Sequence, residues 1–153
     1  MDNVRVFKQQ AMLDDCQKLL GQKYKLDKAD KYGITLLHIA ATKSYEKVVR
    51  LLINNSVNVD AIDETGATAL HLAAKHSQGL IIKLLLDAEA NPCLIDKFGR
   101  KPSEVARETV IRLALIRAEE KYKRYEQSED SLEEDQENSQ TEDDDKRLFT
   151  ILE

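Results

Sequence analysis

Residues 63–95, DETGATALHLAAKHSQGLIIKLLLDAEANPCLI, directly follow residues 30–62, DKYGITLLHIAATKSYEKVVRLLINNSVNVDAI, and the two stretches are variants of one sentence. Asp30, Asp63 and Asp96 stand 33 residues apart, as do Gly33, Gly66 and Gly99. Thr35-x-x-His38-x-Ala40 returns as Thr68-x-x-His71-x-Ala73, and Val49-x-Leu51-Leu52 returns as Ile82-x-Leu84-Leu85. A fixed period of this length marks a stack of like units, each too small to bury its apolar face alone. Within a unit, Thr35 can cap a helix running to about Lys43 by accepting from a first-turn N–H. His38 falls one turn along the same face, within reach of Thr35 and of the next unit. Ala40 and Ala41 let neighbouring helices approach closely. A second helix, about Tyr45–Asn54, carries Val48, Val49, Leu51, Leu52 and Ile53. Residues 57–62 then run extended into a turn at Asp63-Glu64-Thr65-Gly66.

The period and the Thr-x-x-His-x-Ala signature resemble those of the ankyrin repeat family. The resemblance implies an all-α ankyrin-repeat solenoid: helix-turn-helix units joined by β-turn/hairpin loops. It covers two units well, and the flanking stretches depart from it. Residues 1–29 read as a degenerate N-terminal cap: a shift of 33 puts Asp2 on Thr35, Cys16 on Val49, Leu19 on Leu52 and Asp27 on Asp60. The signature residues Leu36, His38 and Ala40 become Asn3, Arg5 and Phe7 there. Terminal units lose their pattern because one face meets water. Where the family usually has Gly, this chain has Ser44 and Ser77 between the helices, then Ser56 and Glu89 after them. A left-handed conformation at Ser56 and Glu89 costs about 1–2 kcal/mol each relative to Gly.

Residues 96–126 begin as a third unit and then leave the pattern, as a truncated repeat and C-terminal cap helix. Pro102 suits a first helical position. Lys101 replaces the Thr and Glu104 the His, which predicts loss of that hydrogen-bond device. Ile111, Leu115, Ala118, Tyr122 and Tyr125 form one stripe of a long amphipathic helix, broadened at its start by Val110, Leu113 and Ile116. Residues 127–153 are expected to be a disordered acidic tail, too charged to bury a core.

Charge is segregated along the chain. Residues 127–153 hold eleven acids against Lys146 and Arg147, a net of −9, while the body carries +4. Ser131, Ser139 and Thr141 each precede an acid by three residues, an acidophilic-kinase pattern that acidic tails also produce by chance. Lys146-Arg147-Leu148-Phe149 resembles a cyclin-docking motif, and Phe149–Leu152 resembles a strand that binds ubiquitin-like modifiers. Both are short and weak, and an inert or autodocked terminus is the favoured reading.

No catalytic constellation emerges, since hydrolysis or transfer needs a nucleophile, a base and an orienting group held together. His38 and His71 belong to the repeat, and His76 sits at a helix end. The five glycines are dispersed, with no phosphate loop. His71 and His76 lack a third ligand, and the acidic tail lacks the glycine and spacing of an EF-hand. No cofactor and no metal are expected. Nothing interleaves bases with aromatics as single-strand binders do, so nucleic acid is not an expected partner. No apolar run spans a membrane, residues 1–10 lack a signal-peptide core, and Cys16 and Cys93 read as reduced thiols. The expected setting is cytoplasmic or nuclear, the expected state monomeric.

The function implied by the resemblance is protein binding without catalysis, as an adaptor or scaffold. Turn tips and inner helices line the concave face of such stacks. Read by position, the protein-binding residues are Lys31, Tyr32 and Ile34, then Glu64 and Thr65 with Ala67, then Lys97, Phe98 and Arg100. Tyr32 and Phe98 occupy matching places two units apart; packing between neighbouring turns is the plainer role for both rings. The acidic tail then serves as an arm that competes for the basic tips. The alternative is a regulatory inhibitor that masks a basic surface on a transcription factor or enzyme with that tail.

Overall fold

The computed structural model describes residues 2–18 and 23–128. The helices in chain order are α1 (Asp2–Lys18), α2 (Lys23–Leu26), α3 (Leu36–Lys43), α4 (Glu46–Asn54), α5 (Ala69–Lys75), α6 (Gly79–Asp87) and α7 (Pro102–Val105). Residues 109–128 are also helical, and no strand occurs among the described residues. The chain divides into two units, Met1–Glu119 and Glu120–Glu153.

The first unit is a two-layer stack. α3, α5 and α7 pack in one row and α1, α4 and α6 in a second, with α3 against α4 and α5 against α6. Small residues make the inner row close: Ala40, Ala41, Ala73 and Ala74 are wholly buried. Between the layers lie Val48, Val49 and Leu52 of α4, Leu70 of α5, and Ile81, Ile82 and Leu85 of α6. Each fully buried Leu stabilises by several kcal/mol, about 2–5 on truncation to Ala.

The helices α3, α5 and α6 end in the same way. Tyr45 N–H bonds the Ala40 carbonyl at 2.9 Å, Gln78 N–H bonds Ala73 at 2.9 Å, and Ala90 N–H bonds Leu85 at 3.0 Å. This six-to-one closure requires a left-handed residue just before it. Ser44, Ser56, Ser77 and Glu89 supply it with φ of 60°, 54°, 55° and 63°. The strain read from the sequence at Ser56 and Glu89 is therefore present.

At the N-terminal end, α1 is one continuous helix rather than a pair. It packs on α4 through Cys16, with Met12 and Leu13 beside it, and Arg5 donates to the Ser44 carbonyl at 2.9 Å. Burial, then the neighbouring Asp15 charge, pushes the Cys16 thiol pKa up. Asp27 accepts from Asn58 N–H at 2.8 Å and Asp60 from Asn91 N–H at 2.9 Å, so these two acids do the same job 33 residues apart. Burial raises the Asp60 pKa despite the bond from Asn91. α1 begins at Asp2 itself, while Leu19 and the motifs at 131–152 lie outside the described residues.

The third unit corrects two expectations. Its hydrogen-bond device is rebuilt rather than lost: Glu104 Oε2 accepts from Lys101 N–H at 2.7 Å, as the repeat histidines accept from their threonines. The apolar stripe beyond it is also narrower than expected. Ile111 and Leu115 are buried, but Val110, Leu113 and Ile116 are 77%, 53% and 38% exposed. The next buried position is a carboxylate, Glu119, which accepts from Ser103 Oγ at 2.5 Å and from Lys101 Nζ at 3.1 Å. The bond to Glu119, then its charge, raises the Lys101 pKa. In the second unit residues 120–128 are helical, two residues past the expected end of the helix. Tyr125 is 61% exposed there, with Lys121 over its ring at 5.8 Å.

Candidate interaction surface

Three turn tips, at 30–34, 63–67 and 96–100, precede the inner-row helices, and one aspartate builds each. Asp30 Oδ1 accepts from Tyr32 N–H at 2.8 Å and Ile34 N–H at 2.9 Å. Asp63 Oδ1 accepts from Thr65 N–H at 2.8 Å and Ala67 N–H at 3.0 Å, and also from the Thr65 hydroxyl at 2.6 Å. Asp96 Oδ1 accepts from Phe98 N–H at 2.9 Å and Arg100 N–H at 3.0 Å. A carboxylate filled by converging N–H donors is favoured in its charged form. Burial works against ionisation at Asp63, but bonds from Thr65 and Ala67 prevail and its pKa falls below the ordinary carboxylate value. At Asp96 burial is likewise outweighed, chiefly by the Arg100 guanidinium.

The tips are also laced to one another. Glu64 N–H donates to the Tyr32 carbonyl at 2.7 Å, and Lys97 N–H to the Thr65 carbonyl at 2.9 Å. Gly33 and Gly66 allow this approach, with φ of 76° and 74°. A Cβ on Gly33 would lie 2.9 Å from the Ile62 carbonyl oxygen, and one on Gly66 3.0 Å from Lys97 N.

The repeat histidines tie the second and third tips to the inner helix of the preceding unit. His38 Nε2 lies 3.1 Å from the Ala67 carbonyl, and His71 Nε2 lies 3.0 Å from the Arg100 carbonyl. A carbonyl only accepts, so Nε2 carries the proton and Nδ1 is left to accept. Nδ1 takes the N–H of Thr35 at 3.1 Å in one unit and of Thr68 at 3.2 Å in the other. Burial lowers the His71 pKa; the Arg100 bond and the Asp96 and Asp63 charges oppose it without reversing it.

On this frame the exposed side chains divide. Lys31, Tyr32, Glu64, Thr65, Lys97, Phe98 and Arg100 are exposed, Ile34 is half-buried, and Ala67 is buried. Ala67 therefore serves the stack through its carbonyl rather than a ligand through its side chain. Tyr32 and Phe98 are 43% and 70% exposed, and each ring carries a cation from its own tip. Lys31 Nζ sits 4.7 Å from the Tyr32 centroid and Arg100 Cζ 4.7 Å from that of Phe98. Arg100 is held as well by Asp96, through Nε at 3.0 Å and Nη2 at 2.8 Å.

Sequence reasoning missed two contributors. The aspartates served only as markers of the period, although Asp-x-x-Gly preceding a helix cap is itself a turn signal. Ile62 and Ile95, each 59% exposed just before Asp63 and Asp96, were passed over as part of the extended segment.

Among the described residues no three His, Cys, Asp or Glu side chains gather as a metal site, and no helix is long and apolar enough to cross a membrane. A sequence model of ankyrin repeats, three copies, matches residues 6–96. Comparison with curated proteins finds no match.

Proposed function

The chain belongs to the ankyrin repeat family, and from that premise we propose that it is a non-catalytic adaptor that grips a partner protein with its turn tips and inner-row helices. Ankyrin repeats are protein–protein interaction modules, which makes protein binding the function of the class. The observation that supports this use of the tips is the pair Tyr32 and Phe98. Both rings stand exposed on turns already fixed by Asp30 and Asp96, each with a cation across its face. Aromatic and Arg side chains dominate interface energetics, and rigid anchors lose little entropy on binding. The eight positions Lys31, Tyr32, Ile34, Glu64, Thr65, Lys97, Phe98 and Arg100 form the contact set, with Ile34 contributing only its outer edge.

The test is affinity capture with the full chain beside Tyr32→Ala/Phe98→Ala. Both rings are exposed, so the stack should fold unchanged by circular dichroism. The expected result is loss of the proteins captured by wild type, with at least about a tenfold drop in affinity. An unchanged set of captured proteins removes the tips from the interface.

A further inference from the structure

Within the unit Glu120–Glu153, residues 120–128 are helical, and Lys121, Arg124, Tyr125 and Ser128 are all exposed. At about 3.6 residues per turn, spacings of three, four and seven put these four on one side of the helix. Together they line an open cleft of about 540 Å³. Lys121 Nζ lies 5.8 Å from the Tyr125 ring centroid, and Ser128 Oγ donates to the Tyr125 carbonyl at 2.8 Å. No ion pair among the described residues engages Lys121 or Arg124. Glu120 and Glu126, the acids of this stretch, fall at other angles around the helix. The face is therefore cationic, with one aromatic ring and a hydroxyl.

The sequence that follows matches it in charge and in length. A second copy does not, since two such faces carry the same sign and repel. Residues 129–145 hold ten acids and no base. A four-residue turn over 129–132 is enough to reverse the chain. Extended backbone then advances about 3.3 Å per residue and sends alternate side chains to the same side. In that form Glu133, Asp135 and Glu137 share one side over a length of about 13 Å. The helix rises about 1.5 Å per residue, so Ser128 to Lys121 covers about 10 Å in the opposite sense. Asp135 then comes level with Arg124, and Glu137 with Lys121. Single exposed pairs are weak, but a short tether gives these acids a high effective concentration at the face. We propose that the chain's own residues 133–137 dock, extended and antiparallel, on the face of Lys121, Arg124, Tyr125 and Ser128, with Asp135 pairing with Arg124 and Glu137 with Lys121. The acidic segment is then an intramolecular ligand that closes this basic face to acidic partners until it is displaced.

The test follows amide hydrogen exchange at residues 121–128 of the full chain by NMR. Docking protects the helix end, so exchange at low salt should be about threefold or more slower in wild type than in Glu133→Lys/Asp135→Lys/Glu137→Lys. At about 1 M salt, where the Debye length is about 3 Å, the two should converge. Lys121→Glu/Arg124→Glu should lose the same protection, and its combination with the triple lysine variant should regain it, which a change in helix propensity alone does not do. Asp143→Lys/Asp144→Lys/Asp145→Lys makes the same charge change farther along and should leave exchange as in wild type. Indifference to the reversal at 133–137, equal sensitivity to reversal at 143–145, or no recovery in the combined variant overturns the proposal. Protection that grows with protein concentration also overturns it, by showing that another copy supplies the acids.

Discussion

His71 shows how a residue repeated for the fold comes to set a pH dependence. Its Nδ1 accepts from Thr68 and its Nε2 donates to Arg100, so the neutral ring satisfies both neighbours. Burial lowers its pKa below the ordinary value near 6.5. Between the folded and unfolded values the unfolded chain binds more protons, so stability rises with pH across that interval. The His71 contribution is thus complete above about pH 6.5 and is lost as pH falls from there through the lower folded pKa. Thermal unfolding at pH 7.5 and pH 5.5 should show a drop for wild type that is smaller in His71→Gln. Equal drops would place the sensitivity elsewhere. Backbone strain acts at single residues too. Ser56 and Glu89 are exposed with φ of 54° and 63°, so Ser56→Gly and Glu89→Gly should each stabilise by about 1 kcal/mol in denaturant titration. Ser44 has the same φ sign, but its hydroxyl donates to Gln78 Oε1, so Ser44→Gly should return less.

Elements hold together through a few shared groups, and the sequence exposed those groups unevenly. The helix pairs, their caps and the left-handed positions were readable because a 33-residue period repeats them and each has a local cause. The third unit was not, since its device uses different chemistry. Glu104 replaces a histidine while keeping the bond to the N-cap amide, and Glu119, far along the chain, receives Ser103 and Lys101. No local pattern announces a carboxylate buried between residues 16 and 18 positions away. The exposure of Val110 and Leu113 was hidden for a related reason, because composition places apolar residues on a helix without saying which side meets the stack. Glu119→Ala would leave Ser103 and Lys101 without their partner and should cost about 2–3 kcal/mol. Faster amide exchange over residues 109–119 should accompany it; exchange at the wild-type rate would show that Ile111 and Leu115 suffice. The tips give a paired comparison. Gly33→Ala combines a positive φ with a Cβ 2.9 Å from the Ile62 carbonyl, whereas Gly99→Ala carries the φ penalty with nothing within 4 Å. Gly99→Ala should cost about 1–2 kcal/mol and Gly33→Ala clearly more. Equal losses would mean that the tip ladder yields without strain.

Over the whole stack, stability is a sum of unit terms and nearest-neighbour interfaces, so the position of a defect decides how far it spreads. α5 sits at the centre: it packs on α3, α6 and α7, and its His71 reaches forward to the third tip. The apolar share of that coupling rests on Leu70, which is wholly buried. Leu115 is as deeply buried, but it belongs to the closing helix, beyond α7 at the end of the stack. Truncating either leucine removes a comparable volume and should cost about 2–5 kcal/mol at the site. The consequences differ. Leu70→Ala weakens interfaces on both sides of the middle unit, so the first unit of the chain should unfold in one transition at lower urea. Leu115→Ala weakens only the last interface; residues 101–119 should lose exchange protection first, while α3 and α4 keep theirs. Tyr32 and Phe98 stand on the first and third tips, so the same distinction reaches binding. Leu115→Ala should loosen the tip of Phe98 and spare that of Tyr32, and partner affinity should fall under conditions where α3–α6 remain folded. Hydrogen exchange followed by urea unfolding separates the cases. Uniform loss of protection in both variants would show that the three tips rise and fall as a single cooperative body.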